Sequence, residues 1–152
     1  MKNKLIIMLF FFGLGFTISC KKKDVLPISE SPSIELLSVN DTEIKEFSDS
    51  LIFTVSYRDG DGDLGTESPD STVIELIDNR DPQNLIFGYH LSPRSPNGAE
   101  LIVQGQLQMV LKNIIILNSA NTSETTTFSI RIKDRAQNWS NTVESGEVRI
   151  VK

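Results

Sequence analysis

Hydrophobic and polar residues alternate along most of the chain beyond residue 34. The clearest run is 51–57, with Leu, Phe, Val and Tyr at every second position. A second run is 128–133, where Phe and two Ile residues alternate with polar side chains. Because successive side chains of a β-strand point to opposite faces, this period of two predicts strands with one buried face.

Weaker runs of the same kind predict further strands at 34–39, 73–77, 85–91, 101–117 and 147–151. The segment 101–117 is long enough for two strands. Its second half would also place Leu107, Val110, Leu111 and Ile114 on one face of a helix, but the isoleucines 114–116 favour a strand. Clusters of turn-forming residues at 78–82 and 92–98 separate the runs. The pattern therefore predicts an all-β fold, an antiparallel β-sandwich of seven or eight strands.

The first 19 residues have a different pattern. Lys2 and Lys4 precede an uncharged, mainly apolar stretch from residue 5 to residue 18. A stretch of about 14 residues is too short to cross a bilayer as a helix, which takes roughly 20, and is typical of a secretory signal. We therefore expect residues 1–19 to be a cleaved signal peptide.

The signal ends in Thr17-Ile18-Ser19-Cys20, which contains the single cysteine of the chain. This motif resembles the lipobox of bacterial lipoproteins, although Thr17 stands where that family most often has leucine. The resemblance implies cleavage before Cys20, a covalent lipid on its thiol, and anchoring to a membrane of the cell envelope. Lys21 follows in place of the aspartate that marks inner-membrane retention in some bacteria, which favours the outer membrane. The alternative is an unmodified cysteine at the end of the signal.

The chain beyond the signal is acidic and divides into a tether and one domain. The formal net charge is −5, and it becomes more negative when Lys2 and Lys4 leave with the signal. Nucleic acid is not an expected partner, because phosphate binding takes clustered Lys and Arg. Residues 20–33 contain Pro27 and Pro32 without periodicity, which predicts a flexible tether. Residues 34–152 are of ordinary size for a single domain.

A second resemblance involves the order of the short strands, the acidic loop after the second one, and the segment Asp134-Arg135-Ala136-Gln137-Asn138-Trp139-Ser140. Together these resemble immunoglobulin-like modules of extracellular bacterial proteins, in which an Asp-x-Ala-Gly-Asn-x-Ser turn joins the final two strands. Gln137 stands here in place of the glycine. The resemblance covers 34–151 and implies an immunoglobulin-like sandwich, but a fold does not by itself define a function.

The densest group of acidic side chains follows the run 51–57. Asp59, Asp61 and Asp63 alternate with glycines, and Glu67 and Asp70 come shortly after. Neighbouring like charges repel each other, and a bound cation removes that cost. The loop is not an EF-hand, because its sixth residue is not glycine and strands flank it. Calcium accepts six to eight oxygen ligands in flexible geometry, so we predict a calcium site here, with Glu67 and Asp70 as further candidate ligands.

The implied fold adds two candidate ligands from a distant part of the chain. In an immunoglobulin-like sandwich the loop after the second strand and the loop before the last strand lie at the same end. Asp134 and Asn138 are therefore expected to face the acidic loop and to supply oxygen ligands. The alternative is a solvated turn in which both residues cap their own backbone; magnesium is a further alternative.

No group of residues in the sequence is typical of catalysis. His90 is the single histidine, and no nucleophile motif accompanies it. Tyr89 and Trp139 could stack on sugar rings, although Trp139 is better explained as a plug over one end of the core. We therefore expect a non-enzymatic binding or adhesion module with a protein or glycan partner. The alternatives are an assembly subunit of an envelope complex for glycan or protein uptake and, less favoured, a metal-assisted hydrolase.

Overall fold

The computed structural model of the protein describes residues 29–80, 85–96, 99 and 101–152. The predicted signal peptide, Cys20 and the tether up to residue 28 lie outside the described residues. Within this part the chain forms ten β-strands and no helix, which confirms the all-β prediction. Accordingly, none of the described segments is a helix long and apolar enough to span a membrane.

The strands are β1 Ser33–Val39, β2 Glu43–Lys45, β3 Leu51–Asp59, β4 Ile74–Asp78, β5 Leu85–Tyr89, β6 Val103–Leu111, β7 Ser123–Thr126, β8 Phe128–Ile132, β9 Val143–Glu144 and β10 Val148–Val151. They form three sheets with the orders β1-β3-β6, β2-β10-β7 and β5-β4-β8-β9. The pairing of β2 with β10 is parallel. The other pairings are antiparallel.

The alternating run that the sequence shows most clearly becomes β3, the central strand of its sheet. Its odd-numbered residues, from Leu51 to Asp59, are buried, whereas the residues between them are half-buried or exposed. All nine residues of β3 pair in unbroken register with β6, from Leu51 opposite Leu111 to Asp59 opposite Val103. The inward face of this sheet is thus apolar until its last position, where it ends in a carboxylate.

The core joins the three sheets through their inward side chains. Phe53 of β3 and Phe128 of β8 are fully buried. Their rings meet edge to face with centroids 5.2 Å apart, the geometry that the ring quadrupoles favour. Ile150 of β10 is also fully buried in the same apolar cluster. The hydrophobic effect of this shared core therefore holds the sheets face to face.

Ten strands exceed the predicted seven or eight, and one predicted strand is wrong. The segment 101–117 holds the single strand β6, because Asn113 adopts a left-handed backbone (φ 55°) that ends the extended conformation. The backbone groups of Ile114 and Ile116 bond to the segment after β2 and not to a neighbouring strand. The Ile114 carbonyl accepts from the Phe47 amide, and the Ile116 amide donates to the Glu46 carboxylate. Ile114 and Ile116 are still buried, so the apolar pattern predicted their burial correctly but not their secondary structure.

Ser140 and Ser145 hydrogen-bond to the two ends of β8, where β9 does not pair with it. The Ser145 amide donates to the Phe128 carbonyl, and the Phe128 amide donates back to the Ser145 hydroxyl at 2.8 Å. Ser140 makes the same pair of bonds with Ile132. Each hydroxyl thus replaces a backbone carbonyl as the acceptor for a buried N–H group.

Ser145→Ala is expected to lower the free energy of unfolding by about 1–3 kcal/mol, because it leaves the buried Phe128 amide without an acceptor. Urea unfolding of the variant measures this loss. Ser56→Ala is the matched control, since Ser56 is half-buried on the outer face of β3, and its effect should stay within about 0.5 kcal/mol. Equal losses in the two variants would contradict the assigned role of Ser145.

The outer edge of β1 is covered in two ways. Its pairing with β3 is interrupted by a register shift between Leu36 and Ser38. In addition, the Asn141 side-chain amide bonds both backbone groups of Ile34: its oxygen accepts from the amide at 2.9 Å and its nitrogen donates to the carbonyl at 2.8 Å. Asn141 thereby takes the place that a neighbouring strand would occupy.

Every strand and every core side chain described above lies between Ser33 and Val151. A segment comprising residues 21–152 therefore contains all the contacts that hold the described fold together. It also lacks cysteine, because Cys20 is the single cysteine of the chain. Residues 21–152 are therefore suited to experiments in solution.

Candidate metal centre

The acidic loop, residues 59–65, begins at the end of β3. Asp59 occupies the last inward position of this strand and is 1% exposed. Asp61 and Asp63 follow at half-buried positions. One oxygen from each of the three carboxylates lies within 4.8 Å of the others. We call these three residues the acidic cluster.

The spacing of the acidic cluster fits the size of a calcium ion. Calcium binds oxygen at 2.3–2.6 Å, so two oxygens on the same ion lie no more than about 5 Å apart. The three carboxylates meet that limit. The acidic cluster could therefore hold a metal ion.

A fourth carboxylate, Asp134, lies beside the acidic cluster. It comes from the turn after β8, where it forms an isolated β-bridge with Leu64. The neighbouring Arg135 amide donates to the Asp63 carbonyl at 3.3 Å. Asp134 is 1% exposed. The structure thus brings together two segments about 75 residues apart, as the predicted fold requires, and the role of Asp134 as a ligand stays a prediction.

Backbone amides hold one oxygen of three of these carboxylates. The Leu64 amide donates to Asp59 Oδ2 at 3.1 Å, and the Ala136 amide donates to Asp63 Oδ2 at 2.9 Å. The Asn138 amide donates to Asp134 Oδ1 at 2.7 Å. Each bond fixes the orientation of its carboxylate, as the outer-shell partners of metal ligands do.

The other oxygens of these side chains are buried without a hydrogen-bond partner in the described residues. They are Asp59 Oδ1, Asp61 Oδ1, Asp63 Oδ1 and Asp134 Oδ2. A buried acceptor that lacks a partner costs about 1–3 kcal/mol, and more when it is charged. A cation bound between these four oxygens would satisfy them together.

Burial and crowding change the acidity of the cluster. Burial, followed by the charges of Asp61, Asp63 and Asp134, raises the pKa of Asp59 from its ordinary value of 3.8 to about 6. Burial and the charge of Asp134 also raise the pKa of Asp63, against the opposing hydrogen bond from Ala136. The metal-free site therefore carries negative charge that the fold does not neutralise.

Glycines shape the acidic loop at two positions. Gly62 (φ 77°) and Gly65 (φ 87°) adopt left-handed backbone conformations. A Cβ atom on Gly62 would collide with the Leu101 carbonyl, and one on Gly65 would collide with the Ser92 carbonyl. Both positions therefore need glycine for conformation and for space.

The segment 91–95 supports the acidic loop, although the sequence shows it only as a turn region. The Arg94 amide donates to the Leu64 carbonyl at 3.0 Å, and the Thr66 amide donates to the Leu91 carbonyl at 2.8 Å. The buried Ser95 hydroxyl donates to the Gly62 carbonyl. Sequence reasoning missed these positions, because a serine in a turn-rich segment gives no signal of what it contacts.

The remaining predicted ligands, Asn138, Glu67 and Asp70, do not belong to the acidic cluster. Asn138 reaches the site through its backbone amide, which orients Asp134. This bond is the backbone cap of the solvated-turn alternative, yet it leaves Asp134 Oδ2 buried and without a partner. Glu67 and Asp70 are exposed and do not belong to the acidic cluster. The cluster is therefore smaller than the set of acidic residues in the sequence.

Gln137 occupies the glycine position of the turn motif and adopts the left-handed backbone that glycine favours (φ 73°). A side chain in this conformation costs about 1 kcal/mol. Gln137→Gly is therefore expected to raise the free energy of unfolding by about 0.5 kcal/mol, after the entropic cost of the added glycine. Urea unfolding checks this gain. Ala136→Gly, at a residue of negative φ in the same turn, should lower stability, and a loss in both variants would contradict the argument.

The other side chains considered in the sequence lie outside the acidic cluster. His90 is exposed, and its ring is 3.5 Å from the Ser92 hydroxyl. Trp139 is half-buried but is not part of the apolar core. Its ring instead packs beneath the Arg131 guanidinium, 4.1 Å from the ring centroid, with the Lys133 ammonium at 5.2 Å. These contacts are cation–π interactions on the outer side of β8.

A cavity of about 280 Å³ lies beside Asp134. It is lined by Thr66, Ser71, Thr72, Val73, Lys133, Asp134, Arg135 and Gln137. None of the three residues of the acidic cluster lines it. A substrate in this cavity would therefore meet Asp134 and not the clustered carboxylates.

Comparisons with protein-family models, with curated proteins and with solved structures gave no match. The function is therefore inferred from the geometry of the chain itself.

Proposed function

We propose that the protein is a calcium-stabilised, non-catalytic binding module of immunoglobulin-like topology, held at a membrane of the cell envelope by a lipid on Cys20. The observation that carries the calcium site is the group of four buried carboxylate oxygens without hydrogen-bond partners among the described residues. The anchor rests on the sequence motif around Cys20.

The strand order supports an immunoglobulin-like sandwich. One residue separates β7 from β8, and three residues separate β9 from β10. If β7 with β8 and β9 with β10 are each treated as one interrupted strand, two of the three sheets merge into one. The merged sheet has the order β2, β9/β10, β7/β8, β4, β5. The N-terminal strand pair is then divided between the sheets, with β1 beside β3 and β2 parallel to β10. The contact of Phe53 with Phe128 packs the two layers face to face.

Calcium suits the site better than magnesium does. Magnesium takes near-ideal octahedral geometry at 2.0–2.1 Å and keeps several of its waters, whereas calcium accepts many carboxylates in irregular arrangements. Here the carboxylate oxygens are buried, which leaves little room for retained water. A protein cage of this kind favours the larger ion.

A binding role suits the site better than hydrolysis does. Metal-assisted hydrolysis needs an open coordination position beside a substrate pocket. The described cavity next to Asp134 is not lined by Asp59, Asp61 or Asp63. A metal in the acidic cluster would therefore stiffen this end of the domain and fix the loop positions there.

Calcium titration of residues 21–152 tests the proposal. Calorimetry over ion concentrations from about 1 μM to about 10 mM covers the range of extracellular calcium modules. We expect one ion per chain, weaker binding of magnesium, and loss of binding in Asp61→Asn. Asp70→Asn is the matched control and should bind as the unaltered chain does, since Asp70 is exposed. Absence of calcium binding, or equal loss in both variants, would remove the metal from the proposal.

The anchor has its own test, in the full-length chain expressed in bacteria. Fatty-acid labelling should mark the protein and place it in the membrane fraction, and Cys20→Ser should abolish both results. An unlabelled protein that retains its leader would contradict the lipoprotein assignment and leave the calcium result unaffected.

A further inference from the structure

The strand β6 forms the edge of its sheet that the structure leaves least protected. Natural sheets protect their edges with short strands, charges, prolines, bulges or covering groups. In the described residues, β1 has a register shift and the Asn141 side chain, β2 and β9 have three and two residues, and β7 contains Glu124. The edge strand β5 has five residues, whereas β6 has nine.

The sequence of β6 lacks the usual protective devices. Val103–Leu111 contains no charged residue and no proline. Its register with β3 is unbroken along all nine residues, so no bulge turns the edge away. A long, regular and uncharged edge of this kind is a template for another strand.

Hydrogen bonds in the same sheet show which backbone groups of β6 face outward. The Asn40 amide donates to the Ile52 carbonyl, so Ile52 and the other even-numbered residues of β3 face β1. The odd-numbered residues of β3 then face β6 and bond its odd-numbered residues. The N–H and C=O groups of residues 104, 106, 108 and 110 must therefore point to the open edge. The Tyr89 hydroxyl donates to the Val110 carbonyl at 3.1 Å, which agrees with this direction and covers the edge at residue 110. The open part of the edge is therefore residues 104–108.

We propose that β6 pairs in antiparallel register with β6 of a second copy of this chain, about a two-fold axis at Gln106. In this register Gln106 lies opposite Gln106 of the second copy. Gln104 lies opposite Gln108, so the pairing spans residues 104–108. The two three-stranded sheets join into one continuous sheet across the axis.

Self-complementarity selects a second copy as the occupant. A two-fold interface applies the same residues to each other, so each position must tolerate its symmetry mate. The glutamines face glutamines, and their amides both donate and accept hydrogen bonds. Because the strand carries no charge, no like charges oppose the pairing.

Pairing along one edge buries a small area, which places the dimer among transient complexes. Its measurement therefore needs a wide range of concentration. Sedimentation of residues 21–152 in calcium, from about 5 μM to about 500 μM, should show a reversible monomer–dimer equilibrium. A monomer throughout this range would overturn the proposal.

Cysteine cross-linking tests the register. Opposite residues in a hydrogen-bonded antiparallel pair have Cα atoms about 5.5 Å apart, within disulfide reach. Under mild oxidation, Gln106→Cys should therefore form a cross-linked dimer, since it faces its own copy. Gln108→Cys is the matched control and should remain monomeric, because Gln108 faces Gln104. Equal cross-linking of the two variants would overturn the two-fold axis at Gln106.

Charged substitutions test the proposal without cysteines. Gln106→Lys places two ammonium groups opposite each other and should weaken dimerisation at least about tenfold. Ser56→Lys, on the same outer face of β3, should leave dimerisation unchanged. Q104K combined with Q108E should restore pairing relative to Q104K combined with Q108K, since the first combination sets opposite charges across the axis. Similar dimerisation in the two double variants would overturn the register. The melting curve of each variant confirms that it folds.

Discussion

Calcium is expected to raise the free energy of unfolding of residues 21–152 by about 2.7 kcal/mol when the free ion is at one hundred times its dissociation constant. For a domain of this size the melting temperature should rise by roughly 10 °C. The physical reason is the set of buried oxygens of Asp59, Asp61, Asp63 and Asp134, which a bound ion satisfies only in the folded state. Melting curves in calcium and in chelator measure the shift, and coincident curves would refute the site.

Asp59→Asn is expected to act in opposite directions with and without calcium. In chelator at pH 7 it should raise the free energy of unfolding by about 1–2 kcal/mol, because it removes a charge disfavoured by burial and by its neighbours. In calcium it should abolish the stabilisation by the ion. Asp70→Asn is the matched control and should respond to the ion as the unaltered chain does.

The effect of Asp59→Asn also has a defined pH dependence. The pKa of Asp59 in the folded, metal-free protein is about 6, above its ordinary value of 3.8. A raised carboxyl pKa means that the folded state loses stability as pH rises through this interval. The gain in chelator should therefore be absent at about pH 4 and nearly complete at about pH 7. A gain that is independent of pH would show that charge is not its cause.

The second large effect concerns Arg80, whose guanidinium joins the buried carboxylate of Asp78 to the half-buried carboxylate of Glu124. It contacts Asp78 at 2.6 Å and Glu124 at 2.9 Å. The side chains are 9%, 1% and 12% exposed, respectively. Arg80 also donates to the Ile115 carbonyl, and Asp78 accepts from the Thr126 hydroxyl at 2.6 Å. The network connects β4 to β7 and to the loop after β6.

Arg80→Met is expected to lower the free energy of unfolding by about 3 kcal/mol at pH 7, because it leaves the buried Asp78 carboxylate without its charged partner. Glu124 keeps the hydrogen bonds from the Leu117 and Asn118 amides and contributes less. Urea unfolding measures the loss. Arg149→Met is the matched control: Arg149 and Glu43 also form an ion pair, but they are 55% and 56% exposed. Its loss should be below about 1 kcal/mol. Losses of similar size in the two variants would contradict the importance of burial.

The cost of Arg80→Met should depend on pH in the direction set by these carboxylates. Burial alone would raise the pKa of Asp78, but the hydrogen bonds from Arg80 and Thr126 and the charge of Arg80 hold it below its ordinary value. Burial is likewise outweighed at Glu124, where the amides of Asn118 and Leu117, Asn121 and Arg80 lower the pKa. Stability from lowered carboxyl pKa values is present above the ordinary values and lost as pH falls. The difference between the variant and the unaltered chain should therefore shrink below about pH 4.

The sequence predicted those strands whose inward side chains are apolar. β3 and β8 were clear because every second residue is hydrophobic, and the same alternation continues inward to Asp59. β7, with the sequence Ser-Glu-Thr-Thr, has no apolar pattern and is held by its hydrogen-bonded pairing with β10. β2 has three residues, too few for any periodicity to appear. Short strands held by their neighbours therefore leave little trace in the hydrophobic pattern.

The candidate site was predictable in part for a similar reason. Alternating aspartates in the sequence marked the acidic loop, and the implied strand topology placed Asp134 beside it. The orientation of the carboxylates was not predictable, because the Leu64, Ala136 and Asn138 amides that fix it are backbone groups. Every non-proline residue carries such a group, so the sequence does not distinguish these three. The exposed Glu67 and Asp70 show the limit of counting acidic residues.

The amide of Asn141 has a consequence for solubility. A sheet that can recruit strands at both of its sides can grow without limit into a fibre, whereas a sheet with one side occupied stops growing. By taking both backbone groups of Ile34, Asn141 opposes the recruitment of a strand at this side. Together with the register shift in β1, it limits growth of the sheet to the opposite side.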